Sequence, residues 1–318
     1  MVMRADDTID RRHLRRKLTF WRIVSILIAA IGIAFASMWL YGGELGTSAS
    51  HIAKVSIDGT ITEDEELLQR LDKIGKSTSV KALILSIDSP GGTTAGGEAI
   101  FDAVRRIAAE KPVVAQVGTL AASAGYMIAT ASDHIVARKT SIVGSIGVLV
   151  QYPDVSGLMD KLGVKLEEIK SSPLKAEPSP FKPTSDAARA MIRSMILDSY
   201  DWFVGLVEDR RPLTRAEVVA LADGSVFTGR QALEKKLVDE LGGETEAVAW
   251  LASQGVDEKL KVIEWKPRGG GAASLLLGGS VGGMVGQALG IPNTSDDLMR
   301  KIGAERLLLD GLVSLWHP

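Results

Sequence analysis

The sequence predicts an α/β fold, with parallel strands joined by crossover helices, preceded by one N-terminal transmembrane helix. Three observations predict it. From His51 onward, apolar runs of strand length alternate with amphipathic helical runs, the order expected of a parallel sheet. Two of those runs, "VKALILSID" and "KPVVAQVG", are apolar almost throughout, as strands buried on both faces are. An uncharged run, Ile23 to Tyr41, follows a basic N-terminus.

Residues 1–18 are a basic segment carrying Arg4, Arg11, Arg12, Arg15, Arg16 and Lys17. Residues 19–41 read as a signal-anchor helix, since a bilayer span needs about 20 apolar residues. Trp21, Trp39 and Tyr41 lie near its ends, where aromatic belts form. The next Lys or Arg is Lys54. This asymmetry puts the N-terminus in the cytoplasm and everything after Tyr41 outside. The alternative is a cleaved signal peptide with "AFA" before Ser37 as its processing site. Against that, the apolar run continues through Met38, Trp39 and Leu40.

A main domain is expected over 42–266. "HIAKVSIDGTI" reads as a strand and "EDEELLQRLDKIGK" as an amphipathic helix. "VKALILSID" is a strand ending at "SPGGTTAGG", and "GEAIFDAVRRIAAE" a helix. "KPVVAQVG" is a buried strand, "AASAGYMIATAS" a short helix and "DHIVAR" a strand. "SIVGSIGVLVQ" is extended, "SGLMDKLG" helical and "VKLEEIKS" a strand, followed by the Pro-rich loop "PLKAEPSPFKPTSD". A long helix starts at Ser185 or Asp186. "TRAEVVALADGSVFTGRQALEKKLVDELG" reads as helix, short strand, helix. Residues 267–294 are Gly-rich and apolar, read as a linker, flexible or lying against the membrane. A second membrane segment is the weaker reading, because glycine lowers both hydropathy and helix propensity. Residues 295–318 resemble an amphipathic helix suited to packing or subunit contact.

Composition narrows the chemistry. Net charge is −2 over 318 residues, and no clustered basic surface marks a nucleic-acid partner. With no cysteine, disulfides, thiol nucleophiles and thiolate metal sites are excluded. The H-E-x-x-H spacing of zinc proteases is missing, and no G-K-[ST] follows the glycines of "SPGG" to make a Walker loop. No cofactor is expected.

One stretch asks for explanation. "TLAASAGYMIATA" sets Ser123 among Ala and Gly inside a run apolar enough to be buried. It reads either as a close-packed helix start or as a nucleophile with room for a substrate. A nucleophilic serine needs a base and an oxyanion hole. The four histidines are poorly placed: His13 lies before the span, His51 just after it, His134 at a strand start and His317 at the chain end. Lysine is the remaining base, and it must be neutral to take the proton. Lys175 in "SSPLKAEP" is the candidate, with Lys170 and Lys182 as rivals, and any of the three reads equally as a solvated surface residue. For the oxyanion hole, Gly91 and Gly92 let a backbone N–H face a ligand without a Cβ in the way. The N–H of Ala124 would be the second donor, and both donors would sit at helix N-termini. An ordinary Gly-rich turn is the plainer alternative.

Taken together, "SIDSPGG", "AASAGYMIATASDHIVA", "SIVGSIGV", "GLMDKLGVKLEEIKSSPLKAEPSPFKP" and "DGSVFTGRQALEKKLVDELGG" resemble the signal peptide peptidase A family of membrane serine proteases. The resemblance spans roughly His51 to Trp265. It implies the Clp protease/crotonase fold of repeated β-β-α units and a Ser/Lys dyad. Ser123 then matches the nucleophile, Lys175 the general base, Ser145 the serine that orients the lysine, and Gly92 and Ala124 the oxyanion donors. Ala124 departs from the glycine common at that position, which leaves a backbone donor in place. Gly91, Gly144, Ile146 and Gly147 are expected along the substrate. Both dyad residues lie in one unit, as in the short form of the family. That form implies a homo-oligomer whose protomers complete one another's sites. It also implies hydrophobic peptides, chiefly remnant signal peptides, as substrates, and a bacterial inner-membrane location with the protease domain outside the cytoplasm. Stomatin-like membrane proteins as substrates, an acyl-CoA enzyme of the crotonase type and a peptide-binding scaffold without activity are the alternatives.

Overall fold

The computed structural model describes residues 17–33 and 49–267, and the backbone of 313–315. Residues 17–33 form helix α1. No described helix is long and apolar enough to cross a membrane. The rest of the expected span, 34–41, lies outside the described residues, as do 1–16 and nearly all of the linker and tail.

The second unit, from His51 on, is built on a nine-stranded sheet whose main path runs β6-β5-β3-β2-β1-β8. Its strands are β1 (His51–Ile61), β2 (Val80–Thr93), β3 (Val113–Ala122), β4 (His134–Ala137), β5 (Ile142–Gly144), β6 (Val226–Thr228), β7 (Glu240–Leu241), β8 (Val262–Glu264) and β9 (Val313–Leu315). The helices are α2 (Glu65–Lys76), α3 (Thr94–Ala108), α4 (Ala124–Thr130), α5 (Ser156–Leu162), α6 (Asp186–Arg210), α7 (Arg215–Leu221), α8 (Gly229–Glu234) and α9 (Glu244–Ser253). β1, β2, β3 and β8 are mutually parallel, as the alternating sequence predicts.

The apolar runs are explained by burial on both faces. Leu83, Leu85 and Ile87 of β2 join one core with Leu71 of α2, Val104 of α3 and Met127 of α4. Ala82 and Ile84, which alternate with them, join a second core with Ala247 and Leu251 of α9. Successive side chains of a strand point to opposite faces, so a strand between two cores must be apolar at every position. Helix α2 shows the complementary pattern: Leu67, Leu71 and Ile74 are buried, each contributing about 1.5–3 kcal/mol. Asp64 caps its start by accepting from the Leu67 N–H at 3.0 Å. Ser185, not Asp186, caps α6.

Three segments differ from expectation. "VKLEEIKS" forms no strand. Ile169 is fully exposed, so its alternation of apolar and polar residues has no sheet partner to bury against. "SIVGSIGVLVQ" is strand only over Ile142–Gly144. Val313–Leu315, expected within a helix, is a strand that pairs antiparallel with the end of β2.

Two strands fork, and this positions the site. The first half of β3 pairs with β4, Val114 to His134 through Val117 to Ala137. Its second half pairs with β5, Leu120 to Ile142 through Ala122 to Gly144. β2 stays beside β3 only as far as Ser89, opposite Ala121. Past that point the ends of the two strands are free to diverge, and Gly91–Gly92 and Ser123 lie just beyond it.

Candidate active site

Ser123 sits between the end of β3 and the start of α4 with φ 57° and ψ −121°. This left-handed backbone is costly for a residue with a Cβ, on the order of 1–3 kcal/mol. A serine held on a strained strand-to-helix turn is the geometry that lifts a nucleophile out of a sheet. Thr93, Ser185, Thr214 and Thr228 cap the helices that follow them with their hydroxyls. The Ser123 side chain does not cap α4.

The turn is fixed from both ends. The Ser123 N–H donates to the Gly144 carbonyl at 2.8 Å, and the Ser145 N–H to the Ser225 carbonyl at 2.7 Å. Ser145 is itself left-handed, with φ 52°, and is buried. The C-terminal carbonyls around α4 are held by arginines. Arg105 Nη1 donates to Ala131, and Arg210 donates through Nε to Thr130 and Nη2 to Ser132, at 2.8–3.1 Å. Tyr126, on α4, donates its hydroxyl to the Leu237 carbonyl at 2.9 Å.

The glycine turn faces this from β2. Ser89 is fully buried. Its hydroxyl donates to the Gly59 carbonyl at 2.6 Å and accepts the Gly91 N–H at 3.1 Å. The Gly91 amide is therefore committed to the turn. A Cβ on Gly92 would lie 1.8 Å from the Ile61 carbonyl oxygen, so only glycine fits. A Cβ on Gly125 would meet the Ser89 carbonyl at 2.9 Å, which shows how closely α4 approaches the turn. Ala124 is fully buried at the first position of α4, where backbone N–H groups lack intrahelical acceptors.

Of the expected substrate contacts, Gly91 and Gly144 are buried, Gly144 accepting the Ser123 N–H, and Gly147 is half-buried. The Ile146 side chain belongs to the core, which leaves its backbone for any substrate contact. Ser89 and Ser225 were not among the residues singled out from sequence. A serine just before two glycines is a turn signal that points to Ser89; nothing local points to Ser225.

The three candidate lysines are sharply different. Lys170 donates to Glu168 and Glu177 at 3.0 and 2.7 Å, and Lys182 donates to both of the same carboxylates. Hydrogen bonding to Glu168 and then Glu177 raises the Lys182 pKa above its ordinary value. Conversely, the bonds from Lys170 and then Lys182 hold Glu177 down to about 2. Lys175 is exposed in the turn between them, its N–H bonded to the Ser172 carbonyl at 3.1 Å. Its ammonium has no hydrogen-bond or ion-pair partner among the described residues. The structure thus ties Ser123 to the residue before Ser145, sets Ala124 at the start of α4 beside it, packs α4 against Ser89 three residues before Gly92, and leaves Lys175 on an exposed loop.

Comparison with known proteins follows the same residues. Residues 105–257 match the model of peptidase family S49, and residues 51–143 that of Clp protease. A provisionally named signal peptide peptidase SppA of Enterococcus faecium is 33% identical over 75% of this chain and 73% of its own. A provisionally named protease of Methanocaldococcus jannaschii is 35% identical over 69% of this chain and 71% of its own. Protease 4 of Haemophilus influenzae is 35% identical over 62% of this chain, but that match covers 34% of the longer relative. The mixed sheet described above is consistent with a Clp protease/crotonase-like fold.

Proposed function

Because the chain belongs to peptidase family S49, the serine proteases of the signal peptide peptidase A type, we propose that it is a membrane-anchored endopeptidase cutting hydrophobic peptides, chiefly remnant signal peptides, through a Ser/Lys dyad. The observation that carries this reading is the strained backbone of Ser123, tied by its N–H to the residue before Ser145.

In the proposed mechanism Ser123 Oγ attacks the scissile carbonyl while Lys175, neutral, accepts its proton. The developing oxyanion takes hydrogen bonds from the Gly92 and Ala124 N–H groups. The lysine then protonates the leaving amine, and water hydrolyses the acyl-enzyme by the reverse route. Lys175 is favoured over its rivals because Lys170 and Lys182 are spent on Glu168 and Glu177. Desolvation is what favours the neutral form of a lysine, so the proposed mechanism needs the loop carrying Lys175 to be covered. Leu158, Leu162, Leu166, Ile169, Leu174 and Phe181, on α5 and the loop carrying Lys175, are exposed. Such apolar exposure marks an interface and supports a homo-oligomer in which a neighbouring protomer covers this loop. For the anchor, the support is the uncharged run Ile23 to Tyr41 and the exposure of Ile23, Ile26, Leu27 and Ile28 on α1.

Turnover of an apolar fluorogenic peptide by the detergent-solubilised protein, beside Ser123→Ala, tests the activity. Equal rates would refute it. Co-expressed Ser123→Ala and Lys175→Ala protomers should regain activity if sites are shared, and a fully active monomer would defeat the sharing. Protease added to spheroplasts should digest the main domain, and its protection would reverse the proposed orientation.

A further inference from the structure

Ser89 lies where β2 breaks register on both sides. Against β1 the pairing slips between Asp58, opposite Asp88, and Thr60, opposite Gly91. Against β3 it slips between Ile87, opposite Val117, and Ser89, opposite Ala121. Bulges of this kind re-aim a strand and recur beside active sites. The next position along β2 is Pro90, and proline has no N–H to give to a neighbouring strand. The Gly59 carbonyl accepts the Ser89 hydroxyl instead, at 2.6 Å.

The same hydroxyl oxygen accepts the Gly91 N–H at 3.1 Å. A serine hydroxyl has one proton and two lone pairs. Here the proton goes to β1 and a lone pair to the glycine turn. Ser89 is fully buried, so without its hydroxyl both partners would be left with the cost of an unmade bond. The rest of Ser89 meets α4. A Cβ built on Gly125, the second residue of α4, would lie 2.9 Å from the Ser89 carbonyl oxygen and 3.3 Å from its Cβ. One residue therefore shapes the turn leading into Gly92 and forms the surface on which the first turn of α4, beginning at Ala124, is seated.

We propose that Ser89 is a positioning residue of the oxyanion hole: through the Gly91 turn and its contact with Gly125 it sets the Gly92 and Ala124 N–H groups relative to each other. This rests on the protease reading, in which those two amides receive the oxyanion. Such donors act on charge that develops in the transition state. Their misalignment lowers kcat and leaves peptide binding unchanged.

The test uses the full detergent-solubilised chain with Ser89→Ala, and with Ser89→Cys, which keeps the shape but makes only weak hydrogen bonds. Ile74→Val, a buried change in α2, is the control for general loosening. Both Ser89 variants should lower kcat for an apolar fluorogenic peptide about 10- to 100-fold with KM unchanged. A peptide boronate, whose tetrahedral anion stands in for the intermediate, should lose affinity by the same factor. Ile74→Val should change neither. A raised KM with native kcat, or an equal loss of kcat in Ile74→Val, would overturn the positioning role while leaving a measured protease activity intact. In parallel, amide signals of chains labelled with 15N-glycine and 15N-alanine are compared. Ser89→Cys should shift Gly91, Gly92 and Ala124 and hasten hydrogen exchange at Gly91. These signals decide the proposal even if no chain cuts peptide, in which case the protease reading fails alone. Native signals at Gly92 and Ala124 in both Ser89 variants would overturn it.

Discussion

The Ser123 N–H and the Gly144 carbonyl are joined by a hydrogen bond of 2.8 Å, which ties the Ser123 turn to the residue preceding Ser145. Both serines hold left-handed backbones, and neither can relax without moving the other. The strain at Ser123 is thus set by β5 and, through Ser225, by the start of β6.

Replacing Ser123 with glycine removes the strain. Glycine accepts φ 57° freely, so Ser123→Gly should be at least as stable as the native chain, with any gain limited to about 1–2 kcal/mol by the greater entropy of its unfolded state. Ser123→Ala keeps the strain and should change stability by less than about 1 kcal/mol. Both should lose peptide turnover by on the order of 10³-fold or more. Paired melting curves and rates check this; a glycine variant several degrees less stable than the alanine one would contradict the strain assignment.

The lysines are separated by substitution. Lys175→Arg should fail nearly as badly as Lys175→Ala, with a 10²- to 10⁴-fold loss, because arginine stays charged. Lys170→Ala and Lys182→Ala should each retain most activity, since Glu177 keeps the other lysine. Steady-state rates decide it. A nearly native rate for Lys175→Arg with a dead Lys182→Ala would move the base to Lys182.

The Glu177 carboxylate sets an acid limit on the loop. Its pKa in the fold lies near 2, below its ordinary 4.5. A depressed carboxylate contributes stability that is fully present above its unfolded pKa and lost as pH falls through the folded one. The pairing should therefore be complete above pH 4.5, weaken between 4.5 and 2, and be gone below 2. Carbon-detected NMR titration of Glu177 should show a midpoint well under 4. A midpoint near 4.5 would mean the lysines do not hold it in solution.

Gly92 and Gly59 should respond very differently to a methyl group. At Gly59, φ is +71° but nothing lies within 4 Å of the added Cβ, so Gly59→Ala should cost about 1 kcal/mol. At Gly92 the Cβ meets backbone at 1.8 Å, so Gly92→Ala should cost about 3 kcal/mol or more. Urea midpoints measure both. Equal midpoints would show that the β1–β2 contact is looser than described.

The legible parts of the fold are those whose residues carry a period. β1, β2, β3, α2, α3 and α6 follow directly from apolar runs and helical spacing, because both faces of the strands and one face of the helices are buried. "VKLEEIKS" has the alternation of a strand but no neighbour in the sheet, and pattern alone does not show whether a partner exists. α9 and β8 were missed because the C-terminal part of the domain is read against no strong apolar run. At the site, Ser123 and Gly92 stand out by the small residues around them. The left-handed backbone of Ser145 does not, since a serine gives no sign of φ, and it depends on Ser225, which is 80 residues away in sequence.

β8 pairs with β1, Val262 beside Ile52 and Glu264 beside Lys54, so a strand made more than 200 residues after the first closes on it. Chains leave the ribosome N-terminal end first. When Ser123 emerges, Gly144 and Ser225, which fix its turn, and Leu237, which anchors Tyr126, are not yet made. A partly synthesised chain therefore holds Ser123 without the backbone partners that fix its turn. The strained turn at Ser123 can be completed only once residues as far as Leu237 have been made, so its geometry is a late acquisition of the growing chain.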